Sequence, residues 1–512
     1  VTAPSSLSHE QRLKNLHMML LIIVGVFYFI FLPPGIQDSA AESNEAIVCG
    51  TRITADNAIV VSADSIASLI GAQVLQKGGN AVDAAVAVGF ALAVTYPRAG
   101  NIGGGGFLML RFATGTTHFV DYREKAPLAA TRDMYLDDNG EVIDSASTEG
   151  HLAIGVPGTV AGLWLAHKEF GTLPWRDLVE PACRLAREGF PATPSLIASI
   201  EEEKELLSLF TATRRLFVEP GLRWGDVFVQ PELARTLERI RDRGMDGFYF
   251  GETADLIVAD MEANGGLITH RDLAEYRAVF RGPVRFVYRN YEVIGAPLPS
   301  SGGVIIGVVL QMMESAMQSR PAFHSVEHVH AMVEAEKLAY RIRAQFLGDP
   351  EFYGPPWGSL IEWPHIKDLL GMVDPSRALS VSEIEALDLA PKSWQEFDPR
   401  KPESREMRRE LRESGGRSED RDWLEDGGWP EVGRLFYESE HTTHYSIVDK
   451  WGNAVANTYT LNGIFGCGVT VPGAGFLLNN EMDDFSIKPG HPNEYGLVGS
   501  EANEIHARKR ML

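Results

Sequence analysis

The chain has 512 residues, 45% hydrophobic and 23% charged, with a formal net charge of −22. That composition is globular and supplies a core for one large domain or a few smaller ones. The acidic balance argues against nucleic-acid binding, which needs a basic surface.

Arg12 and Lys14 precede an apolar run from Met18 to Leu32, closed by Pro33-Pro34-Gly35. The run is short for a membrane span but suits the apolar segment of a secretory leader. Ser39-Ala40-Ala41 fits a small-residue cleavage site. Residues 1–41 are therefore expected to be a signal peptide or a short N-terminal anchor through 18–32. Either places the rest of the chain outside the cytoplasm, in the periplasm or the extracellular space. The cysteines Cys49, Cys183 and Cys467 offer neither a disulfide framework nor a zinc spacing.

From Gly50 the pattern is mixed α/β. Ala58-Ile59-Val60-Val61 predicts a short strand. Ala67 to Lys77 predicts a helix stopped by Gly78-Gly79. Asn80, with Asp83 three positions on, caps a second helix, and Ala81 to Val94 is apolar enough to be buried. Gly103 to Gly106 then precede an apolar strand. A phosphate loop of the Walker type needs a Lys-Ser/Thr that is absent, so tight backbone packing is the better reading. Arg123 leaves the next strand at Tyr122-Arg123-Glu124-Lys125-Ala126-Pro127. It is suited to clamp a carboxylate, and equally to a surface salt bridge. From Gly155 to about Leu389 the chain reads as mainly helical, interrupted by Pro299-Ser300-Ser301-Gly302-Gly303.

Asp398 to Asp426 carries 18 charged residues among 29, with the signs mixed, and reads as a solvated segment. Thr442-Thr443-His444-Tyr445-Ser446 follows it. Asp449 to Asn453 supplies a polar turn with Gly452 available for positive φ. If Val448 faces Ala454, then Thr442 faces Thr460, with Cβ atoms about 4.5–5.5 Å apart. A one-residue slip would separate them, and an ordinary Thr-rich strand pair remains an alternative. A threonine becomes a useful nucleophile when a base takes its proton. Cutting the chain before it would create an α-amine, a base titrating at about 7.7–8.0.

Several motifs together resemble the γ-glutamyltransferase family of N-terminal-nucleophile hydrolases. They are Gly78 to Ala85, Gly103 to Phe107, Tyr122-Arg123-Glu124 with Ala126-Pro127, and Val156-Pro157-Gly158-Thr159. Pro299 to Gly303, Leu347-Gly348-Asp349-Pro350, Thr442 to Asn462 and Leu477 to Phe485 complete the set, which spans roughly residues 50–512. The resemblance implies an α/β, or α+β, fold: a four-layer αββα sandwich formed after self-cleavage between His441 and Thr442. Residues 42–441 would be the large subunit, ending in a charged linker over 398–441. Residues 442–512 would begin the small catalytic subunit. The implied reaction transfers the γ-glutamyl group of glutathione or related amides to water, an amino acid or a peptide.

By the same resemblance, Thr442 is the nucleophile and Thr460 its hydrogen-bond partner. Arg123 grips the substrate α-carboxylate, while Asn462, Glu481 and Asp484 hold the α-amino end. Tyr495 belongs to a lid loop over Pro489 to Ser500. No cofactor or metal is implied, and His444 is expected to be structural. In the family a Ser-Ser and a Gly-Gly pair follow the position of Leu512, so the small subunit is expected to be incomplete here. Two alternatives stay open: a related acylase acting on another amide such as a glutaryl side chain, and a non-catalytic extracytoplasmic protein that binds γ-glutamyl compounds.

Overall fold

The computed structural model describes residues 54–316, 322–396 and 442–512. The expected leader at 1–41, Cys49, the segment Asp398 to Asp426 and His441 lie outside the described residues. Asn57–Leu512 form one unit.

Strand β1 (Ile59–Val61) leads into helix α1 (Ser65–Gln76) and helix α2 (Ala81–Thr95). Gly78 joins the helices at φ +94°, a left-handed conformation that costs glycine little. The predicted capping box forms at the start of α2. Asn80 Oδ1 accepts from the Val82 and Asp83 amides, and Asp83 Oδ2 accepts from the Asn80 amide, each at 2.9 Å. All of α2 is buried, as a helix apolar on every side must be.

Strands β2 (Gly105–Arg111) and β3 (Thr117–Asp121) follow, then helices α3 (Thr159–Phe170), α4 (Trp175–Glu188) and α5 (Pro231–Arg243). Next come β4 (Val279–Arg281), β5 (Val284–Tyr288) and β6 (Tyr291–Gly295), then α6 (Gly302–Ala316) and α7 (Val326–Phe346). Strands β7 (Thr442–Val448) and β8 (Ala454–Thr460) complete the set. The main sheet is antiparallel, in the order β1-β7-β8-β2-β3-β4. The hairpin that starts at Thr442 therefore lies between β1 and β2, strands from the other end of the chain.

The middle of the chain is mainly helical, as read from the sequence, and strands β4 to β6 interrupt it. Burial in β5 alternates, with Val284 and Phe286 inward and Arg285 and Val287 outward. Such short period-two runs are easily lost among helices. With α6 and α7 the β5–β6 hairpin builds a second apolar cluster containing Val284, Phe286, Val304, Val308, Leu338 and Ile342.

Helices α2 and α3 pack against one face of the main sheet. Thr443, Tyr445 and Ile447 of β7 point to that face. The Tyr445 hydroxyl donates to Ala85 O at 2.9 Å and Tyr459 to Gly89 O at 2.8 Å. A Cβ at Gly89 would lie 2.9 Å from the Tyr445 hydroxyl, so glycine is what lets the sheet approach α2. The other face carries Thr442, His444, Ser446, Thr458 and Thr460. The fold is thus α/β with an antiparallel sheet. Among the described residues the main sheet is six-stranded and the other two sheets are two-stranded. No helix among the described residues is long and apolar enough to cross a membrane.

Candidate active site

The β7–β8 hairpin has the predicted register: Val448 pairs with Ala454 and Thr442 with Thr460. Asp449 fixes the turn by accepting from the Trp451 and Asn453 amides at 2.9 Å and from Asn453 Nδ2 at 2.8 Å. Gly452 takes φ +83°. Asp449 Oδ2 also accepts from the Ala81 amide at 3.0 Å, tying the hairpin to the start of α2. At the far end of the ladder, Thr442 Oγ1 donates to Thr460 Oγ1 at 3.4 Å. Thr460 Oγ1 in turn accepts from the Asn462 amide at 2.9 Å.

The glycine run lets β2 lie against this end. Gly105 pairs with Thr460, and a Cβ at Gly104 would lie 2.1 Å from Thr460 O. That is the tight packing read from the sequence. Asn101 secures the corner, donating from Nδ2 to Thr460 O at 2.8 Å and accepting the Gly104 amide at 2.9 Å.

Backbone bonding continues past β3, where Tyr122 N donates to Gly106 O at 3.0 Å. Arg123 therefore emerges at the Thr442 end of the sheet. It is buried and ion-paired through Nη1 to Glu481 and through Nη2 to Asp484. Nη2 also donates to Leu512 O at 3.2 Å. The surface salt bridge left open by the sequence is thereby excluded. Asn462, at φ +76°, donates from Nδ2 to Asn480 O at 3.1 Å, and Glu481 follows directly. Tyr495 donates its hydroxyl to Asn462 O at 2.9 Å. Asn493 Nδ2 donates to Asp484 Oδ1 at 3.1 Å, and the Glu494 amide to Asp483 Oδ2 at 2.9 Å. The loop around Tyr495 is thus fastened over the acidic group. All seven described residues singled out from the sequence (Arg123, Thr442, Thr460, Asn462, Glu481, Asp484 and Tyr495) belong to one connected region.

A family model described as Gamma-glutamyltranspeptidase matches residues 67–512. The chain belongs to the γ-glutamyltranspeptidase family. It is 43% identical over 463 residues to the glutathione hydrolase proenzyme of Escherichia coli (strain K12), covering 90% of this chain and 72% of that protein. The crystal structure of Helicobacter pylori γ-glutamyltranspeptidase superposes with a TM-score of 0.63 at 40% identity, over 65% of this chain and 96% of that one. Cephalosporin acylase from Bacillus halodurans matches with a TM-score of 0.67 at 23% identity, over 92% of this chain and 76% of that one, a likeness of fold alone.

In this family member the site is a buried charge cluster. Burial opposes the charge on Arg123, yet Glu481, Asp484 and Glu124 keep its pKa above the ordinary value. Burial pushes Glu481 well above the usual carboxyl range, against the pull of Arg123. Glu124 is pushed up to about 8 by the same burial, again opposed by Arg123. Such carboxyls hold protons at a pH where exposed ones do not.

Sequence reasoning passed over Glu124, Asn480 and Asn457. Asn480 Oδ1 accepts the Gly463 amide at 2.7 Å, and Asn457 Oδ1 accepts the Tyr122 hydroxyl at 2.7 Å, both buried. For Asn457, an asparagine in the middle of a strand was the available signal, since strands disfavour that residue. His444 bonds Thr458 Oγ1 at 2.7 Å and Ser446 Oγ at 3.0 Å. No group of three or more potential ligands is arranged for a metal among the described residues.

Proposed function

We propose that the chain is a self-processing γ-glutamyltransferase and glutathione hydrolase. The observation that carries this reading is the placement of Arg123, Glu481 and Asp484 at the same end of the sheet as the Thr442–Thr460 pair. Cleavage after His441 would free the Thr442 α-amine. The amine takes the Thr442 hydroxyl proton as Oγ1 attacks the γ-carbonyl carbon, and Thr460 keeps the hydroxyl oriented. The C–N bond of the donor breaks, the leaving amine receives that proton, and a γ-glutamyl ester remains on Thr442. Water or the amine of an amino acid or peptide then takes the acyl group.

The guanidinium of Arg123 suits an α-carboxylate, and Glu481 and Asp484 with Asn462 suit an α-ammonium. Together they select an amino-acid head group over a plain dicarboxylate. Tyr495 and its loop act as a lid that keeps bulk water from the ester. The two subunits would come from one precursor, in keeping with relatives that are named as proenzymes. Export to the periplasm or beyond, by the leader or the 18–32 anchor, is part of the proposal.

Incubation with glutathione and with a glutaryl amide that lacks the α-amino group tests it. Release of glutamate from glutathione, with the glutaryl amide left intact, supports the proposal. Turnover of the glutaryl amide alone would replace it with an acylase, and binding without turnover or chain cleavage would replace it with a binding protein.

A further inference from the structure

Glu124 lies on the face of the sheet that carries Thr442 and Thr460. It is wholly buried, and among the described residues no other residue hydrogen-bonds either carboxyl oxygen, leaving only its own backbone amide to favour the charged form locally. The carboxyl occupies the space where a side chain at position 105 would be: a Cβ on Gly105 would lie 2.4 Å from Glu124 Oε2. Gly105 is the direct partner of Thr460, which is the direct partner of Thr442. The carboxyl of Glu124 therefore continues the row of Thr442 and Thr460 across the sheet. Gly155 makes the other wall of the slot, where a Cβ would lie 2.9 Å from Glu124 Cβ.

The charged and titratable groups around it leave this carboxyl without a cation of its own. Arg123 is engaged by Glu481 and Asp484. Asp121 is held by Arg281 at 2.6 Å and by Arg510 at 3.3 Å, which occupies both arginines. Arg343, on α7, is buried and faces Asp484 and Arg123. The hydroxyls of Tyr122, Tyr249 and Tyr276 donate to Asn457 Oδ1, Pro157 O and Arg123 O. Three carboxyls, Glu124, Glu481 and Asp484, thus share the field of Arg123. A buried carboxylate without a paired charge takes up a proton instead.

Resting on the function proposed above, we infer that Glu124 is a positioning residue that works as a neutral acid. Its proton keeps the cluster from carrying one negative charge too many, so that Arg123 can accept the α-carboxylate of the amino-acid head group. Ionising Glu124 puts an anion beside that carboxylate and weakens its binding. The pKa of about 8 agrees with this geometry and sets the range in which the loss occurs.

Two measurements test the inference. The first follows hydrolysis of a γ-glutamyl amide from about pH 7 to about pH 9, in the processed protein and in Glu124→Gln. Loss of the Thr442 amine proton raises the rate over this range in both proteins, so the two are compared as a ratio. Relative to Glu124→Gln, which cannot ionise, the unaltered protein is expected to lose about tenfold in kcat/KM, through KM with kcat following the same course in both, as one group near pH 8 ionises. A ratio that stays constant from about pH 7 to about pH 9 overturns the inference. The second is a pH-difference infrared spectrum of the unliganded protein, which does not depend on turnover. A protonated carboxyl band that vanishes near pH 8 and is missing from Glu124→Gln supports the inference; its absence at neutral pH overturns it. Lack of hydrolysis by the unaltered protein counts against the proposed function, and the infrared result then decides the protonation of Glu124 by itself.

Discussion

Thr442 and Thr460 face each other across the β7–β8 ladder, with the Thr442 hydroxyl donating to Thr460 Oγ1 at 3.4 Å. The pairing follows from the turn, since Asp449 locks the register that starts from Val448 and Ala454. Thr442 lies at the end of the sheet from which Arg123 emerges. Thr460 Oγ1 also accepts the Asn462 amide, so one atom links the proposed nucleophile to the proposed head-group site.

Thr460→Ala removes that link and leaves both the Thr442 hydroxyl and the Asn462 amide short of a partner. The expected loss is about 1–3 kcal/mol of transition-state stabilisation, or roughly 10–100-fold in kcat. Steady-state kinetics on a γ-glutamyl amide check this. An unchanged kcat would mean that Thr460 does not orient the nucleophile.

Arg123→Lys keeps the charge and loses the planar fork that serves Glu481 and Asp484 together. The expected result is a rise in KM of roughly 10–100-fold, corresponding to about 1.5–3 kcal/mol for charged hydrogen bonds. Arg123→Ala should be worse and should also destabilise the fold, because it leaves buried acids uncompensated, at about 3–5 kcal/mol. Kinetics on Arg123→Lys and thermal unfolding of Arg123→Ala separate the two effects.

Asp449→Ala removes the acceptor of the Ala81, Trp451 and Asn453 amides in one step. It unties the hairpin from the start of α2. A stability loss of about 1–3 kcal/mol is expected from the missing cap and the orphaned turn amides. Chemical denaturation measures it, and a change below about 0.5 kcal/mol would show that the turn holds without Asp449.

How far this was legible in the sequence differs from element to element. The hairpin register could be read because Gly452 and Asp449 mark the turn and the alternation on either side is strict. The α2 cap could be read because Asn80 and Asp83 are adjacent in the chain. The environment of Glu124 could not: an acid next to an arginine looks like a surface pair, and its burial depends on the slot between Gly105 and Gly155. Arg123 found its partners on a turn far along the chain, so resemblance to the family placed Glu481 and Asp484 where spacing could not. Strands β4 to β6 were missed because their alternation runs for only a few residues among helices.

Stability should depend on pH through Glu124. Its pKa in the fold, about 8, lies above that of the unfolded chain, so the native state keeps a proton that the unfolded state releases. This contribution favours the fold at low pH. It is lost as pH rises from the ordinary carboxyl range toward about 8, by at most about 1.4 kcal/mol per pH unit. Glu124→Gln has no such term, so its stability relative to the unaltered protein should grow between about pH 5 and pH 8. Urea midpoints at the two pH values check the sign, and a constant difference would contradict it.

The most direct test of the central claim is the intact mass of the purified protein with N-terminal sequencing, for the unaltered chain and for Thr442→Ala. The account predicts a second chain whose first residue is Thr442 in the unaltered protein, and a single uncut chain in Thr442→Ala. An unaltered protein that stays uncut, or that is cut at a position other than His441–Thr442, would contradict it.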